Sequence, residues 1–395
     1  MKIISFSTNK KYNTIFKFFN VIIFFTILLI LLMFSKNVQV SVKNSISIFV
    51  TSLIPSLFPF LILSEFALNT NIFENISYIF GNVLSKIFKI NKDSAIAVII
   101  GFLCGFPSGS IAVNKLYEQR KITKNEAYTL LSFINNNNPA FLISTIGIAI
   151  FNNLSIGIIL LISHYSASII TGIFYSRYSS HTIIHENTKI SNNLIKIEKN
   201  IDSNINLIEI LKKCILNAFK TLGIIFGFIL IFNLLFDILN ILFTKLNVNQ
   251  NIVYIISAII EITRGSHNII KLNYSIETIL CLESFLLGFS GLCIIFQIYS
   301  TISKNNFKFF KILKYKICHG IFSAIITYIL IKCTNLLNVN SITILNSLDS
   351  TIIEYKEYKS MIYNAYFHSF LFILFIILIC VLITIINKRK VVHIK

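Results

Sequence analysis

The stretch GFLCGFPSGSIAVNKLYEQRKITKNEAYTLLSFINNNNPAFLISTIGIAI, Gly101 to Ile150, interrupts apolar sequence twice. The interruptions are GFPSG at Gly105–Gly109 and NNNNP at Asn135–Pro139, and both are rich in helix-breaking residues. Non-helical backbone at membrane depth is tolerated only where it is buried in protein or lines a cavity. The polar segment Lys115–Glu126 between the breaks requires water. We therefore predict that the chain enters a membrane, turns back at the first break, and enters again to reach the second.

The overall composition sets the class of protein. The chain has 395 residues, of which 55% are hydrophobic and 13% charged, and its mean hydropathy is +0.77. Several runs approach the roughly 20 apolar residues that span a bilayer. These values predict an all-α polytopic membrane protein embedded in a lipid bilayer.

Charge and cysteine usage exclude other classes. The net charge of +19 would suit nucleic-acid binding, but the basic residues are scattered between apolar runs, so no nucleic-acid partner is expected. The seven cysteines form no CxxC pair. We expect neither a disulfide framework nor a metal site, and no cofactor.

The apolar runs divide the chain into five parts. Residues 1–44 are predicted as a tail with a first span at Phe18–Phe34. Residues 45–176 and 214–335 are predicted as two transporter repeats, joined by a cytoplasmic linker, 177–213, that is dispensable for transport. Residues 336–395 are predicted as an external segment, a last span at Phe367–Ile386 and a basic tail. Further spans are predicted at Ile46–Leu68, Leu154–Tyr175, Cys214–Phe243 and Ile317–Thr334. Asn69–Asp93 has the apolar periodicity of a helix on the membrane surface.

The second repeat resembles the first in layout. Its broken region, Ile252–Ser300, has breaks at Thr263–Ser266 and Gly288–Gly291 with a polar turn between them. If both termini are cytoplasmic and each first break is a re-entrant hairpin, 27 of the 35 Lys and Arg residues, including those of segment 304–316, lie inside and one, Arg264, lies within the membrane. The seven outside are Lys36, Lys43, Lys245, Lys271, Lys332, Lys356 and Lys359. The two polar turns then face opposite sides. We therefore predict two inverted repeats, each with a re-entrant hairpin and a broken helix, as in secondary transporters with a midplane site.

Four motifs carry a family resemblance: GFxxGxPSG, xNNNxPxF, IEITRG and FLLGFSGL, in that order. In them the chain resembles the YlbJ-type sporulation integral membrane proteins (stage V sporulation protein V), which carry a nucleoside-recognition gate domain and are distant relatives of concentrative nucleoside transporters. The resemblance implies a role in endospore formation, with dipicolinate moved from the mother cell across the outer forespore membrane. The matching residues are Gly105, Pro107, Gly109, Asn136, Pro139, Glu261, Gly265, Gly288, Gly291 and Gln297.

The breaks of the first repeat offer polar groups at membrane depth. Ser108, Gly109 and Ser110 would begin a half-helix whose free N–H groups form an anion site, although a Gly-Pro kink that serves packing is the alternative. Asn135–Asn138 offer amides able to hold a carboxylate, a ring nitrogen or a sodium ion. Their alternative role is to cap the following half-helix.

The second repeat adds charge. Glu261 and Arg264, three residues apart, either neutralise each other on one helix face or contact a substrate or ion. His267 and Glu283 are further candidates for a proton site, with a structural role as the alternative. The predicted substrate-binding set is Gly105, Pro107, Ser108, Gly109, Ser110, Asn135, Asn136, Asn137, Asn138, Glu261, Thr263, Arg264, Gly265, Ser266, Gly288, Ser290, Gly291 and Gln297.

The sequence contains no GxSxG, HExxH, P-loop or paired-carboxylate pattern, so we expect neither an enzyme nor an ATP-driven pump. Two classes of function remain. One is a secondary transporter for a small planar anion, dipicolinate by resemblance, with a nucleoside symporter as its variant and a proton or sodium as coupling ion. The other is a non-transporting scaffold for the spore envelope or cortex. The sequence is compatible with a monomer or a homo-oligomer.

Overall fold

A computed structural model describes residues 31–70, 72–183 and 207–334, with the short pieces 21–22, 25–26 and 28–29. Every regular element in these ranges is a helix, as the composition predicts. Part of the predicted first span, most of the linker, and the last span with the basic tail lie outside the described residues.

The first long helix, α1, spans Ser35–Leu68 and starts well before the span predicted at Ile46. The sequence predicts a connection outside the membrane for its polar first part, which holds Lys36 and Lys43, whereas the structure shows helix there. No proline or glycine interrupts residues 35–54, so the helix continues through them. The helix widens to a π-turn at Phe49–Leu53, next to Pro55, which has no N–H to continue the regular hydrogen-bond ladder.

An amphipathic helix, α2 (Ile72–Phe88), follows in the region predicted to lie on the membrane surface. Val83 and Phe88 are buried against the core, whereas Tyr78 on the other side is exposed. The turn after α2 is tied to a later helix, since the carboxylate of Glu126 accepts hydrogen bonds from Asn91 and Ser94. Burial raises the pKa of Glu126.

The rest of the first half consists of a helical hairpin, a broken helix and a long helix. The hairpin is α3 (Ala95–Leu103) and α4 (Ser108–Glu118). The broken helix is α5 (Lys124–Leu131) and the π-helical α6 (Phe141–Ile150). The long helix is α7 (Leu154–Ile183). Both interruptions coincide with the two predicted breaks.

The second half repeats this order. The long helix α8 (Leu207–Lys245) leads to a hairpin of α9 (Gln250–Ile260) and α10 (Ile262–Ile269). A broken helix of α11 (Ile276–Phe289) and α12 (Gly291–Ile302) follows, and α13 (Phe309–Thr334) ends the described part. The paired breaks are therefore present in both halves, while their inversion across a membrane stays a prediction.

Within the described residues, five helical segments are long and apolar enough to cross a bilayer: Ser35–Leu68, Leu154–Tyr178, Leu207–Lys245, Ile276–Asn305 and Phe309–Cys333. The chain is thus a multi-pass membrane protein. One prediction requires correction here. α13 begins at Phe309, eight residues before the predicted span, and it carries Lys316, counted as cytoplasmic, into the interior with 1% exposure.

Candidate functional site

The turn between α3 and α4 packs directly on the asparagine break. Gly105 has φ +74°, and a Cβ there would lie 2.6 Å from the carbonyl oxygen of Asn136. The N–H of Phe106 donates to the same carbonyl at 2.9 Å. Only glycine fits this backbone conformation and this close approach. The two breaks of the first half therefore form one structural unit.

We expect Gly105→Ala to destabilise the protein by about 1–3 kcal/mol, because it combines a disfavoured backbone conformation with a clash against backbone. Thermal unfolding of the purified protein in detergent measures the loss. Gly223→Ala is the matched control: beyond its own helix turn, no described atom lies within 4 Å of its added Cβ, so we expect no loss there. Equal melting temperatures for the two variants would contradict the packing described.

The start of α4 differs in part from the predicted anion site. The N–H of Gly109 donates to the carbonyl of Gly105 at 3.1 Å, so it is not the free donor that the sequence suggested. Ser110 Oγ donates to the Pro107 carbonyl, and Ser108 Oγ accepts from Ser64 Oγ at 3.3 Å. The hydrogen-bond ladder thus starts within the turn itself. This leaves fewer donors for an anion than an open half-helix would.

The four asparagines of the second break have two different environments. Asn138 accepts from the N–H of Phe141, the first residue of α6, and donates to the Ser56 carbonyl. This fits the structural alternative. In contrast, the side-chain oxygens of Asn135, Asn136 and Asn137 are buried and accept no hydrogen bond within the described residues. Leaving a buried polar group unpaired costs about 1–3 kcal/mol, and such groups often mark functional positions.

The first break of the second half is centred on Glu261. Glu261 is extended between α9 and α10, and its carboxylate accepts hydrogen bonds from the N–H groups of Thr263 and Arg264. The guanidinium of Arg264 instead forms a salt bridge with Asp237 of α8 and lies over the Phe236 ring. Of the two alternatives for Glu261 and Arg264, the structural one differs in its partners from a direct pair: the carboxylate of Glu261 accepts from backbone N–H groups, and the salt bridge of Arg264 is with Asp237.

The two breaks of the second half also contact each other. Gly291 has φ +70°, and an added Cβ would lie 3.4 Å from the Ile262 nitrogen, at the start of α10. Ser290, beside it, has φ +72°. A side chain at Gly265 would overlap Ala258, which explains how closely α9 and α10 approach. The pairing of hairpin turn with broken helix thus recurs in both halves.

The two halves meet at the asparagine break. The side-chain amide of Asn137 donates to the carbonyl of Leu287, the residue before Gly288, at 2.9 Å. Gly288 itself packs on Gly320 of α13, with an added Cβ only 2.7 Å from the Gly320 Cα. Gln297, further along α12, donates to Cys293 while its side-chain oxygen has no partner among the described residues. The predicted residues around Asn137 and Gly288 are therefore brought together. Within the described residues, no hydrogen bond joins the Glu261 break to the asparagine break.

Comparison with known proteins bears on this arrangement. Residues 50–176 match the protein-family model Gate, described as nucleoside recognition. The chain is also 25% identical over 314 residues to the sporulation integral membrane protein YlbJ of Bacillus subtilis (strain 168), which covers 73% of this chain and 76% of the relative. The family resemblance predicted from the sequence is confirmed. No solved structure matches the chain.

A buried basic cluster lies between the Gate region and the second half. It consists of Lys316 and His319 on α13 and His164 on α7, and we call it the Lys316 cluster. The ammonium of Lys316 donates to the Asn135 carbonyl at 2.9 Å and lies 3.5 Å from His319 Nδ1. His319 Nε2 is 2.9 Å from the His164 carbonyl oxygen, and His164 Nε2 accepts from the Asn137 N–H.

Lys316 has no acidic partner in the part of the chain that the structure describes: in residues 31–70, 72–183 and 207–334, no carboxylate oxygen lies within 4.0 Å of its Nζ. A buried lysine can bind an anionic group or exchange a proton. The unpaired amide oxygens beside it are acceptors, so they suit a hydrogen-bond donor or a cation. The sequence prediction missed this cluster because Lys316 ends a basic run. The available signal was the Lys316 and His319 spacing, which places both side chains on one helix face.

Proposed function

We propose that the chain is a secondary transporter for a small planar anion, dipicolinate, moved from the mother cell across the outer forespore membrane. The observation that carries the proposal is Lys316, a buried lysine that contacts the asparagine break and has no carboxylate partner among the described residues. A charge at bilayer depth costs at least about 2.5 kcal/mol. An anionic substrate would supply the missing counter-charge, and its second carboxylate could accept from amides of the same break.

The arrangement of the breaks supports transport over a scaffold role. Asn136 and Asn137 are 0% exposed, so a substrate reaches them only when the packed breaks move apart. Paired broken helices in two halves are the usual basis of alternating access. We include in the proposal that the halves are inverted, that both termini are cytoplasmic, and that the linker is dispensable.

A nucleoside is the second candidate substrate, and the Gate match favours it because that family is described as nucleoside recognition. Lys316 distinguishes the candidates, since a dipicolinate carboxylate can pair with its protonated amine and a nucleoside carries no carboxylate. The name of the YlbJ relative refers to sporulation, and this supports the choice of a spore component as the anion.

Uptake by proteoliposomes tests the function. Vesicles with the purified protein are given labelled dipicolinate or labelled uridine, with and without proton and sodium gradients. We expect dipicolinate to enter and to be competed by unlabelled dipicolinate. Uptake of uridine without uptake of dipicolinate would show that the substrate is a nucleoside and not the proposed anion. Uptake of neither substrate, in vesicles where the protein is inserted, would favour the scaffold.

The inverted topology gives a separate prediction. Gln119 and Lys271 are exposed and lie in the polar turns of the first and second half. In a background from which the seven cysteines are removed, we expect Gln119→Cys to react with impermeant maleimide only from the cytoplasmic face. Lys271→Cys should react only from the opposite face. Labelling of both from one side would exclude inversion.

A further inference from the structure

Glu283 of α11 is a carboxyl group that the proposed function does not use. It is 0% exposed. Its Oε1 lies 2.6 Å from Ser266 Oγ of α10, and its Oε2 has no hydrogen-bond partner among the described residues. In that part of the chain no lysine, arginine or histidine nitrogen lies within 4.0 Å of it. An ionised carboxylate in such surroundings would be strongly disfavoured.

The contacts of Ser266 fit a neutral Glu283. The single hydroxyl proton of Ser266 has two acceptors in reach, Glu283 Oε1 and the Ile262 carbonyl at 2.9 Å. If Glu283 is protonated, its O–H can donate to Ser266 Oγ while Ser266 donates to Ile262. The burial of Glu283 and the lack of a cation within 4.0 Å among the described residues favour this neutral state over a buried carboxylate.

No neighbouring charge changes this assignment. α11 packs against α13, α7 and α10. On these helices the groups nearest in sequence or contact to Glu283 all have other partners or are exposed. On α13, Ser323 and Thr327 form hydrogen bonds with Ser284, Lys316 and His319 belong to the Lys316 cluster, and Lys332 pairs with Glu277. On α7, His164 and Tyr165 form hydrogen bonds with Asn137. On α10, Arg264 pairs with Asp237, and His267 is exposed.

We propose that Glu283 binds the proton whose movement drives uptake of the anion. This inference rests on the proposed function. When water reaches α11, the carboxyl O–H bond breaks and the proton passes to water, leaving a carboxylate. The Ser266 hydroxyl then turns from the Ile262 carbonyl to Glu283. Ile262 and Ser266 lie in α10, which starts directly after Glu261. The change of hydrogen bond at Ser266 therefore links proton release from Glu283 to this half-helix.

The test compares Glu283→Gln with Glu277→Gln in proteoliposomes. Glutamine imitates the neutral acid, since its amide can donate to Ser266, but it cannot release a proton. Glu277 is an exposed carboxylate on the same helix and serves as the control. With the membrane potential held at zero by potassium and valinomycin, a gradient of one pH unit should raise dipicolinate accumulation about tenfold per coupled proton. We expect this gain in the wild type and in Glu277→Gln, and a ratio of one in Glu283→Gln.

Two outcomes separate this inference from the proposed function. If the wild type takes up dipicolinate without any response to the pH gradient, proton coupling is overturned and the transporter stands. If it transports neither dipicolinate nor uridine, the proposed function fails, and infrared spectroscopy of the protein in bilayers decides the state of Glu283. If the wild type shows a band of a protonated carboxylic acid at neutral pH and Glu283→Gln does not, the result supports the proton site. If the wild type shows no such band, the proton site is overturned. Should Glu283→Gln misfold, infrared titration of the wild type gives the same decision.

Discussion

Lys316→Gln is expected to weaken dipicolinate binding at least tenfold, about 1.4 kcal/mol or more. The substitution keeps a donor for the Asn135 carbonyl but removes the positive charge that an anionic substrate requires. Binding of labelled dipicolinate to the protein in detergent measures the effect. Binding of uridine, which carries no charge, should change far less.

Stability separates a binding role of Lys316 from a structural one. Because the Lys316 side chain is buried with no carboxylate within 4.0 Å among the described residues, its replacement should leave the melting temperature of the protein unchanged or raise it. Lys314→Gln is the matched control, since Lys314 is exposed two residues earlier on α13. It should alter neither binding nor melting. A Lys316→Gln variant that melts lower and binds dipicolinate normally would show that the lysine serves the fold.

The breaks were predictable because they depend on local sequence. Glycine, proline and consecutive asparagines within apolar runs interrupt helices wherever they occur, so Gly105–Gly109 and Asn135–Pro139 could be located without a structure. The contact between these two breaks was not predictable. It depends on the absence of a side chain at Gly105, which allows the Asn136 carbonyl to approach.

The partners of the charged residues depend on contacts between distant segments. Arg264 pairs with Asp237, 27 residues away on α8, and no spacing rule connects the two. Lys316 donates to Asn135, which is 181 residues away. A hydropathy window also places the start of α13 too late, because the polar face of its first turns lowers the average there. The local sequence pattern therefore predicts where the helices break. The charged residues that contact each break are determined by packing between segments distant in the sequence.

Arg264→Gln should lower the melting temperature, and adding Asp237→Asn should restore it. The two side chains are 28% and 21% exposed, so solvent screens the pair only in part. Loss of the arginine leaves Asp237 half-buried without its partner, and the second change removes that charge. We expect a coupling energy of about 1 kcal/mol from the double-mutant cycle, measured by thermal unfolding of the four proteins.

Dipicolinate binding by the same four proteins assigns the role of Arg264. If the salt bridge is structural, the double variant should bind dipicolinate within about threefold of the wild type, less than 1.4 kcal/mol. The anion site then depends on Lys316. If the double variant recovers stability but binds at least tenfold more weakly, Arg264 contacts the substrate, which is the second of the two alternatives that the sequence left open. Arg264 would in that case have to leave Asp237 when the substrate arrives, and Asp237→Asn alone should strengthen binding because it removes the competing carboxylate.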